Sequence, residues 1–316
     1  MLREVEITSI TPIGKQTVYD IRVKDDHSYI GNGFINHNSS EKPNIQNIPR
    51  ESVIKGMFIP AEGFEIIEID YSQIELRVMA FYSRDKAMTQ NYIDGEDIHL
   101  ATASEIFQVP PKQITKIQRK YAKLVNFGCL YGASPQKLMD SINKKLSPED
   151  RKVTLREAER FRIGFFNRYP GISQYIKQVH REIWKNEYIE NIFGRRRRLP
   201  EIRSHDDAVV AEAQRQGLNG LIQGSASDLT QYAVTRLPLI MDSNTGARFL
   251  FSVHDAILIE NPIDELDFVF AVKDLMEDVP DIFDFPVVAD LERFPERWGN
   301  NPIEWKNEKW IRGKEY

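Results

Sequence analysis

Phe64-Glu65-Ile66-Ile67-Glu68-Ile69-Asp70-Tyr71-Ser72-Gln73-Ile74-Glu75-Leu76-Arg77 is the stretch on which the fold turns. Phe64 to Ile69 mixes apolar with acidic residues and is rich in isoleucine, the composition of a half-buried strand, and Asp70 sits at its end. From Ile74 the apolar positions take helical spacing (Ile74, Val78, Phe81), so a strand-to-helix junction is predicted at Asp70 to Ser72. A carboxylate placed there is held by a rigid sheet, and Glu75 projects near the same junction. An isolated Asp-x-Ser is more often a helix cap. The rest of the chain decides between the two.

Outward from this stretch, Arg119, Lys123, Phe127 and Tyr131 recur every fourth residue. Positions four apart on a helix advance by roughly 40°, so these side chains share one face, cations first and aromatics last. Guanidinium and ammonium groups match phosphate oxygens, and aromatic faces suit a base or a sugar. A solvated basic face grading into core is the commoner meaning of a single Arg-x3-Lys spacing. Further on, two apolar runs, Phe249 to Val253 and Ala256 to Ile259, flank His254-Asp255, which reads as a hairpin with an acid at its bend.

Taken together, these stretches resemble the nucleotide-adding site of family A (DNA polymerase I-like) enzymes. The resemblance runs through nearly all of the chain after Ser39. It includes Asn44 to Arg50, Asp97-Ile98-His99, Tyr169-Pro170-Gly171, Gly194-Arg195-Arg196 with Leu199-Pro200, and Arg215-x3-Asn219-x3-Gln223-Gly224. It implies an α+β fold: a palm with an antiparallel sheet from Ser39 to about Arg84 and again after Leu199, with mainly helical fingers over roughly 85–199. It also implies template-directed DNA synthesis. Asp70, Asp255 and the Tyr71 carbonyl would hold two magnesium ions, one for the primer 3′-hydroxyl and one for the leaving pyrophosphate. His99, Arg119 and Lys123 would neutralise the triphosphate, Lys123 counting with the catalytic residues. Tyr131 and Glu75 would close the sugar pocket against a 2′-hydroxyl, with Phe127 packed on the deoxyribose. Arg50, Arg215, Asn219, Gln223 and His254 would meet primer-template DNA, several of them in the minor groove, where acceptors recur in every correct pair. Ala256 stands where the family usually has a second acid. Two other readings stay open: a polymerase-like nucleic-acid-binding module without full catalysis, and a relative of the single-subunit RNA polymerases.

Residues 1 to 38 read separately, as a small β segment of strand-like runs broken by turn signals at Pro12-Ile13-Gly14, Asp25-Asp26 and Gly31-Asn32-Gly33. His37-Asn38-Ser39 is chemically suited to acyl transfer, because an Asn amide can attack its own carbonyl, a His can supply protons and a Ser can act as nucleophile. Val18 to Ile21, Asp26 to Tyr29 and Asn32 to Ile35 resemble the C-terminal fragment of a split intein ending in His-Asn. That resemblance implies trans-splicing to a separately encoded first half of a polymerase, with Ser39 receiving the upstream chain.

Composition is consistent with this reading. The chain has 316 residues, 41% of them hydrophobic, which is ample for a large core. Its lone cysteine, Cys129, rules out an internal disulfide and suits a reducing, cytoplasmic setting. No signal peptide or spanning run is legible. The net charge of −5 leaves nucleic-acid binding to local clusters, at Lys112 to Lys123 and at Arg195 to Arg198.

Overall fold

The structure, a computed structural model, describes Tyr29–Gly31, Phe34–Asn36 and residues 55–145, 151–241, 246–279, 282–306 and 308–312. The chain divides into two compact units, Met1–Pro49 and Arg50–Tyr316. In the first, β1 (Tyr29–Gly31) and β2 (Phe34–Asn36) pair antiparallel, Ile30 opposite Ile35. Of the β segment expected over residues 1 to 38, these two strands are the part that lies among the described residues. His37, Asn38, Ser39 and Arg50 lie outside the described residues.

The second unit opens with β3 (Phe64–Tyr71), followed by α1 (Ile74–Ser83), α2 (Lys86–Ile93), α3 (Ile98–Phe107), α4 (Lys116–Leu130) and α5 (Pro135–Lys144). Next come α6 (Leu155–Arg168), α7 (Pro170–Asn186), a hairpin of β4 (Tyr188–Glu190) and β5 (Arg196–Arg198), and the long α8 (Asp207–Arg236). The chain then returns through β6 (Arg248–Val253), β7 (Ala256–Pro262), α9 (Leu266–Glu277), β8 (Ala289–Phe294), β9 (Ile303–Lys306) and β10 (Lys309–Arg312). Thus the predicted α+β layout holds, with helices between the two stretches that build the sheet.

The six-stranded sheet has the order β10-β9-β8-β3-β7-β6, antiparallel throughout. Because side chains alternate along a strand, β3 turns Ile67, Ile69 and Tyr71 into the core and Glu68 and Asp70 to the other face. Ile67 lies opposite Ile259 and Ile69 opposite Ile257, and all four are fully buried. Each such side chain contributes about 1.5–3 kcal/mol by leaving water. On the same face the Tyr71 hydroxyl donates to the Met276 carbonyl of α9 at 2.7 Å, which locks the sheet to that helix. At the exposed edge, Phe249 and Phe251 of β6 pair with the consecutive residues Ile259 and Leu258, so Leu250 is an extra residue and the strand is bulged.

Glu65, at the start of β3, is fully buried and takes two 2.9 Å hydrogen bonds from Nε of Arg293 on β8. Removing one partner of a buried pair strands the other charge, at a cost of about 3 kcal/mol. Glu65→Ala is therefore expected to lower the denaturant midpoint with an unchanged slope, and equilibrium unfolding in urea measures it. An unchanged midpoint would show that Arg293 finds water instead.

Between the sheet's two stretches, local chemistry sets the helix boundaries. Thr115 and Gln118 form a reciprocal capping box at the start of α4, as Thr154 and Glu157 do for α6. The break predicted at Pro170-Gly171 is the α6–α7 junction, with Pro170 in the first turn of α7. A side chain at Gly171 would meet Asp85 at 2.9 Å, and the Gly171 N–H donates to the buried Asp85 carboxylate at 2.7 Å. A glycine is needed for that approach.

Candidate active site

β3 runs two residues further than predicted, through Asp70 and Tyr71, because neighbours on both sides extend its pairing. Asp70 lies opposite Ala256 of β7, the residue that follows Asp255, and the Tyr71 N–H donates to the Asp255 carbonyl at 3.3 Å. The two acids, Asp70 near the end of β3 and Asp255 at the bend just before β7, are thus brought to neighbouring positions, both half-buried. Neither Asp70 nor Ser72 caps α1: the cap position is Gln73, at φ +57°, with no side-chain cap hydrogen bond. Ser72 instead is clamped. Its N–H donates to the Val288 carbonyl at 2.8 Å, its carbonyl accepts from Arg77 Nε at 2.9 Å, and its hydroxyl donates to Asp290. Arg77 is itself buried against the Tyr92 ring, 4.3 Å from the centroid, and donates to the Pro286 carbonyl. The backbone that offers the Tyr71 carbonyl is therefore fixed from both sides.

The hairpin is as read from the sequence, with His254-Asp255 as the bend between β6 and β7. His254 has φ +54°, a conformation uncommon outside glycine, and costs of order 1 kcal/mol that the paired strands must absorb.

The donor set suits a hard cation. Two carboxylates and a carbonyl are all oxygen ligands, and among the described residues no cluster of three or more His, Cys, Asp or Glu exists to form a full protein cage. Magnesium characteristically takes one or two carboxylates and fills its shell with water and substrate phosphate. The residues present fit that arrangement.

α4 carries Arg119, Lys123 and Phe127, and Tyr131 is its C-terminal cap rather than a helical residue. Arg119 and Lys123 are exposed, and Arg119 Nε donates to Asp97 Oδ2 at 2.6 Å. Asp97 also caps α3, its Oδ1 accepting from the N–H groups of His99 and Leu100. Burial opposes ionisation of this carboxyl, but Arg119 and the Leu100 N–H hold it below the ordinary carboxylate range. His99 departs from the sequence expectation. It is buried, and Asn126 of α4 lies 2.9 Å from its Nδ1. Burial pushes the imidazole down to about 4, which leaves it at pH 7 a hydrogen-bonding group rather than a cation. Its ring is 6.1 Å from that of Phe127.

Four elements converge at Glu75. Its half-buried carboxylate on α1 is hydrogen-bonded by Tyr131 from the end of α4 and by Gln223 from α8, and it feels Asp255 and His254 of the hairpin. Burial raises the Glu75 carboxyl, and burial together with Glu75 raises the Tyr131 phenol. Gln223 donates to the Tyr131 hydroxyl at 3.3 Å. Hence Gln223 belongs as much to this pocket as to the DNA face expected for it. On the same helix Arg215 Nε donates to Glu212 at 3.0 Å, while the buried Oδ1 of Asn219 has no hydrogen-bond partner among the described residues. Sequence reading did not assign roles to Asn126, Asp97, Arg77 and Asp290. Arg77 and Asp97 stood in the quoted stretches without a role of their own, and Asn126 offered a signal as a polar residue between Val125 and Phe127 on a helix with a buried face.

The sequence pattern of DNA polymerase family A matches residues 36–300. The thermostable DNA polymerase I of Thermus thermophilus is 36% identical over 260 residues, 80% of this chain and 29% of that protein. DNA polymerase I of Deinococcus radiodurans is 37% identical over 246 residues, 76% of this chain and 25% of its own length. The chain therefore spans less than a third of these relatives. Among solved structures, the POL domain of Pol1 from M. smegmatis, in complex with DNA primer-template and dNTP, superposes with a TM-score of 0.74 at 32% identity. That match covers 84% of this chain and 46% of the other. The match takes in the strand with Asp70, the helix with Arg119 and Lys123 and the hairpin with Asp255, and the chain belongs to DNA polymerase family A.

Proposed function

We propose that this chain adds deoxynucleotides to a primer under the direction of a template. The convergence at Glu75 carries the reading: it ties the phosphate-facing helix, the strand acids and the DNA-facing helix to one small pocket. Magnesium, when bound by Asp70, Asp255 and the Tyr71 carbonyl, supplies charge neutralisation for the attacking 3′-hydroxyl and the departing pyrophosphate. Arg119 and Lys123 bind the triphosphate as cations, and His99 orients it through a hydrogen bond. Phe127 packs on the sugar, and the Glu75–Tyr131 contact closes the space a 2′-hydroxyl would need. Arg50, Arg215, Asn219, Gln223 and His254 hold the duplex end, where donors aimed at the minor groove test pair geometry without reading sequence.

A finer part of the proposal concerns the beginning of the chain. Residues 1 to 38 act as the C-terminal fragment of a split intein, and Ser39 becomes joined to a separately encoded polymerase half. Its support is the run of residues ending in His37-Asn38-Ser39 and a family match that starts only at residue 36. The setting is the cytoplasm of a bacterial cell, or of a bacterial host cell if the source is viral. Among the described residues no helix is long and apolar enough to cross a membrane.

Primer extension tests the main reading. Given its upstream half, magnesium and templates differing at one base, the protein is expected to add the complementary deoxynucleotide each time and to refuse the ribonucleotide. Equal use of both sugars would favour RNA synthesis, whereas DNA binding without any extension would favour a non-catalytic module.

A further inference from the structure

His99 is held at both ends. As the cap of α3, Asp97 Oδ1 accepts from its backbone N–H at 2.9 Å, and Asn126 of α4 places its side-chain Nδ2 2.9 Å from the ring Nδ1. The residue is 2% exposed, yet among the described residues its Nε2 makes no hydrogen bond. Asn126 is fully buried on the face of α4 that carries Ala122, Val125 and Cys129, while Arg119 and Lys123 lie exposed on the same helix. Its Oδ1 has no hydrogen-bond partner among the described residues. An amide buried with its oxygen unmet costs stability that an apolar side chain in this setting would not. Something other than the fold accounts for it.

We propose that Asn126 is a positioning residue: it fixes the tautomer and the angle of His99 so that Nε2–H faces the triphosphate of the incoming nucleotide. The inference rests on the reading of His99 given above and supplies the cause of its donor state. A singly protonated imidazole has one donor nitrogen and one acceptor nitrogen, and the partner of one decides the state of the other. An amide N–H donated to Nδ1 makes Nδ1 the acceptor, which puts the ring proton on Nε2. Charge alone does not achieve this. Burial keeps a second proton off the ring, and Arg119 and Lys123 from α4 act the same way, while Asp97 favours one. The ring is thus neutral at pH 7, and a neutral imidazole left to itself offers phosphate either a donor or a lone pair. A lone pair facing a phosphate oxygen is repelled, and the bond from Asn126 removes that state.

The tautomer is read without turnover from two-bond nitrogen–proton correlation spectra of the full chain labelled at histidine, in which His99→Ala identifies the signal. Wild type at pH 7 is expected to show a proton on Nε2 and none on Nδ1, and a deoxynucleoside triphosphate added without primer should move the Nε2–H signal. Asn126→Leu keeps the branching of the side chain and removes its polar atoms. It is expected to abolish the single tautomer, to leave the urea midpoint equal or higher, and to raise KM for the nucleotide about fivefold with kcat within about twofold. Asn126→Ala, which cannot clash, should raise KM likewise. With Asn126→Asp the ratio of variant to wild-type KM should fall from about pH 8 to about pH 6, because a carboxylate takes the proton of Nδ1 and only the doubly protonated ring then has a donor at Nε2. In a His99→Ala background, Asn126→Leu should cost nothing further. A wild-type proton on Nδ1, an imidazolium at pH 7, a lowered midpoint with kcat and KM changed together, or an equal loss in the His99→Ala background would overturn the proposal. A nucleotide that leaves the Nε2–H signal unmoved removes this inference whatever the extension result, whereas a moved signal without any extension leaves it standing and removes the catalytic reading.

Discussion

Asp70→Ala and Asp255→Ala are each expected to lower primer extension by about 10³-fold or more while leaving duplex affinity within about threefold. The magnitude follows from what a metal-holding carboxylate does: losing the charge stabilisation it anchors removes several kcal/mol, and each 1.4 kcal/mol is about tenfold in rate. Binding should survive because neither residue is a cation and phosphate contacts supply most of the affinity. The fold should survive as well, since both side chains are only half-buried and the pairing of β3 with β7 and β8 is made by the backbone. Single-turnover extension beside a binding titration separates the two effects. Normal extension by either variant would end the metal assignment. Ala256, opposite Asp70 in the register, needs no acid for this argument to hold.

Equally large, but in a different reaction, is the effect expected at the junction. Paired with a matching N-terminal intein fragment, the wild-type chain should lose residues 1 to 38 and appear joined through Ser39 to the upstream half. The steps are separable. The upstream half, carried as an ester or thioester on the first residue of the N-terminal intein fragment, would pass to the Ser39 hydroxyl, whose proton goes to that departing side chain; the Asn38 side-chain amide would then attack its own carbonyl, forming a succinimide and breaking the bond to Ser39; and the freed Ser39 amine would take the acyl group from its oxygen. His37 moves the protons. Asn38→Ala should stop at the branched ester, a heavier species that hydroxylamine cleaves. Ser39→Ala should form no branch, although Asn38 can still cyclise and release the downstream part unjoined. Intact-mass spectrometry of the three mixtures reads the result. If residues 1 to 38 stay attached in every pairing and no branch forms, the segment is not an active intein.

What was legible in the sequence was local. The isoleucine-rich run before Asp70, the four-residue recurrence from Arg119 to Tyr131, and two apolar runs around His254-Asp255 each announce an element through periodicity alone, and β3, α4 and the β6–β7 hairpin formed where expected. Features made by distant parts of the chain were not legible. His99 reads as a cation until Asn126 and the surrounding core bury it. The clamp on Ser72 needs Val288 and Asp290, more than two hundred residues away, and strand β8 with its mixed Asp, Glu and Arg carries no clean period. Asp97 enters the sequence reading only within Asp97-Ile98-His99; its cap on α3 and the bond from Arg119 to its other oxygen come from the structure.

The extra residue in β6 bears on how the molecule behaves in a crowd. An outermost strand with exposed Phe249 and Leu250 offers free backbone groups and apolar side chains together, the combination that recruits a strand from another molecule. Leu250 interrupts that offer: an inserted residue bends and over-twists the strand, so an incoming chain cannot keep its ladder in step for more than a few residues. Runaway strand addition is thereby hindered at the margin closest to the acid-tipped bend, and the outermost strand stays a surface rather than a seam.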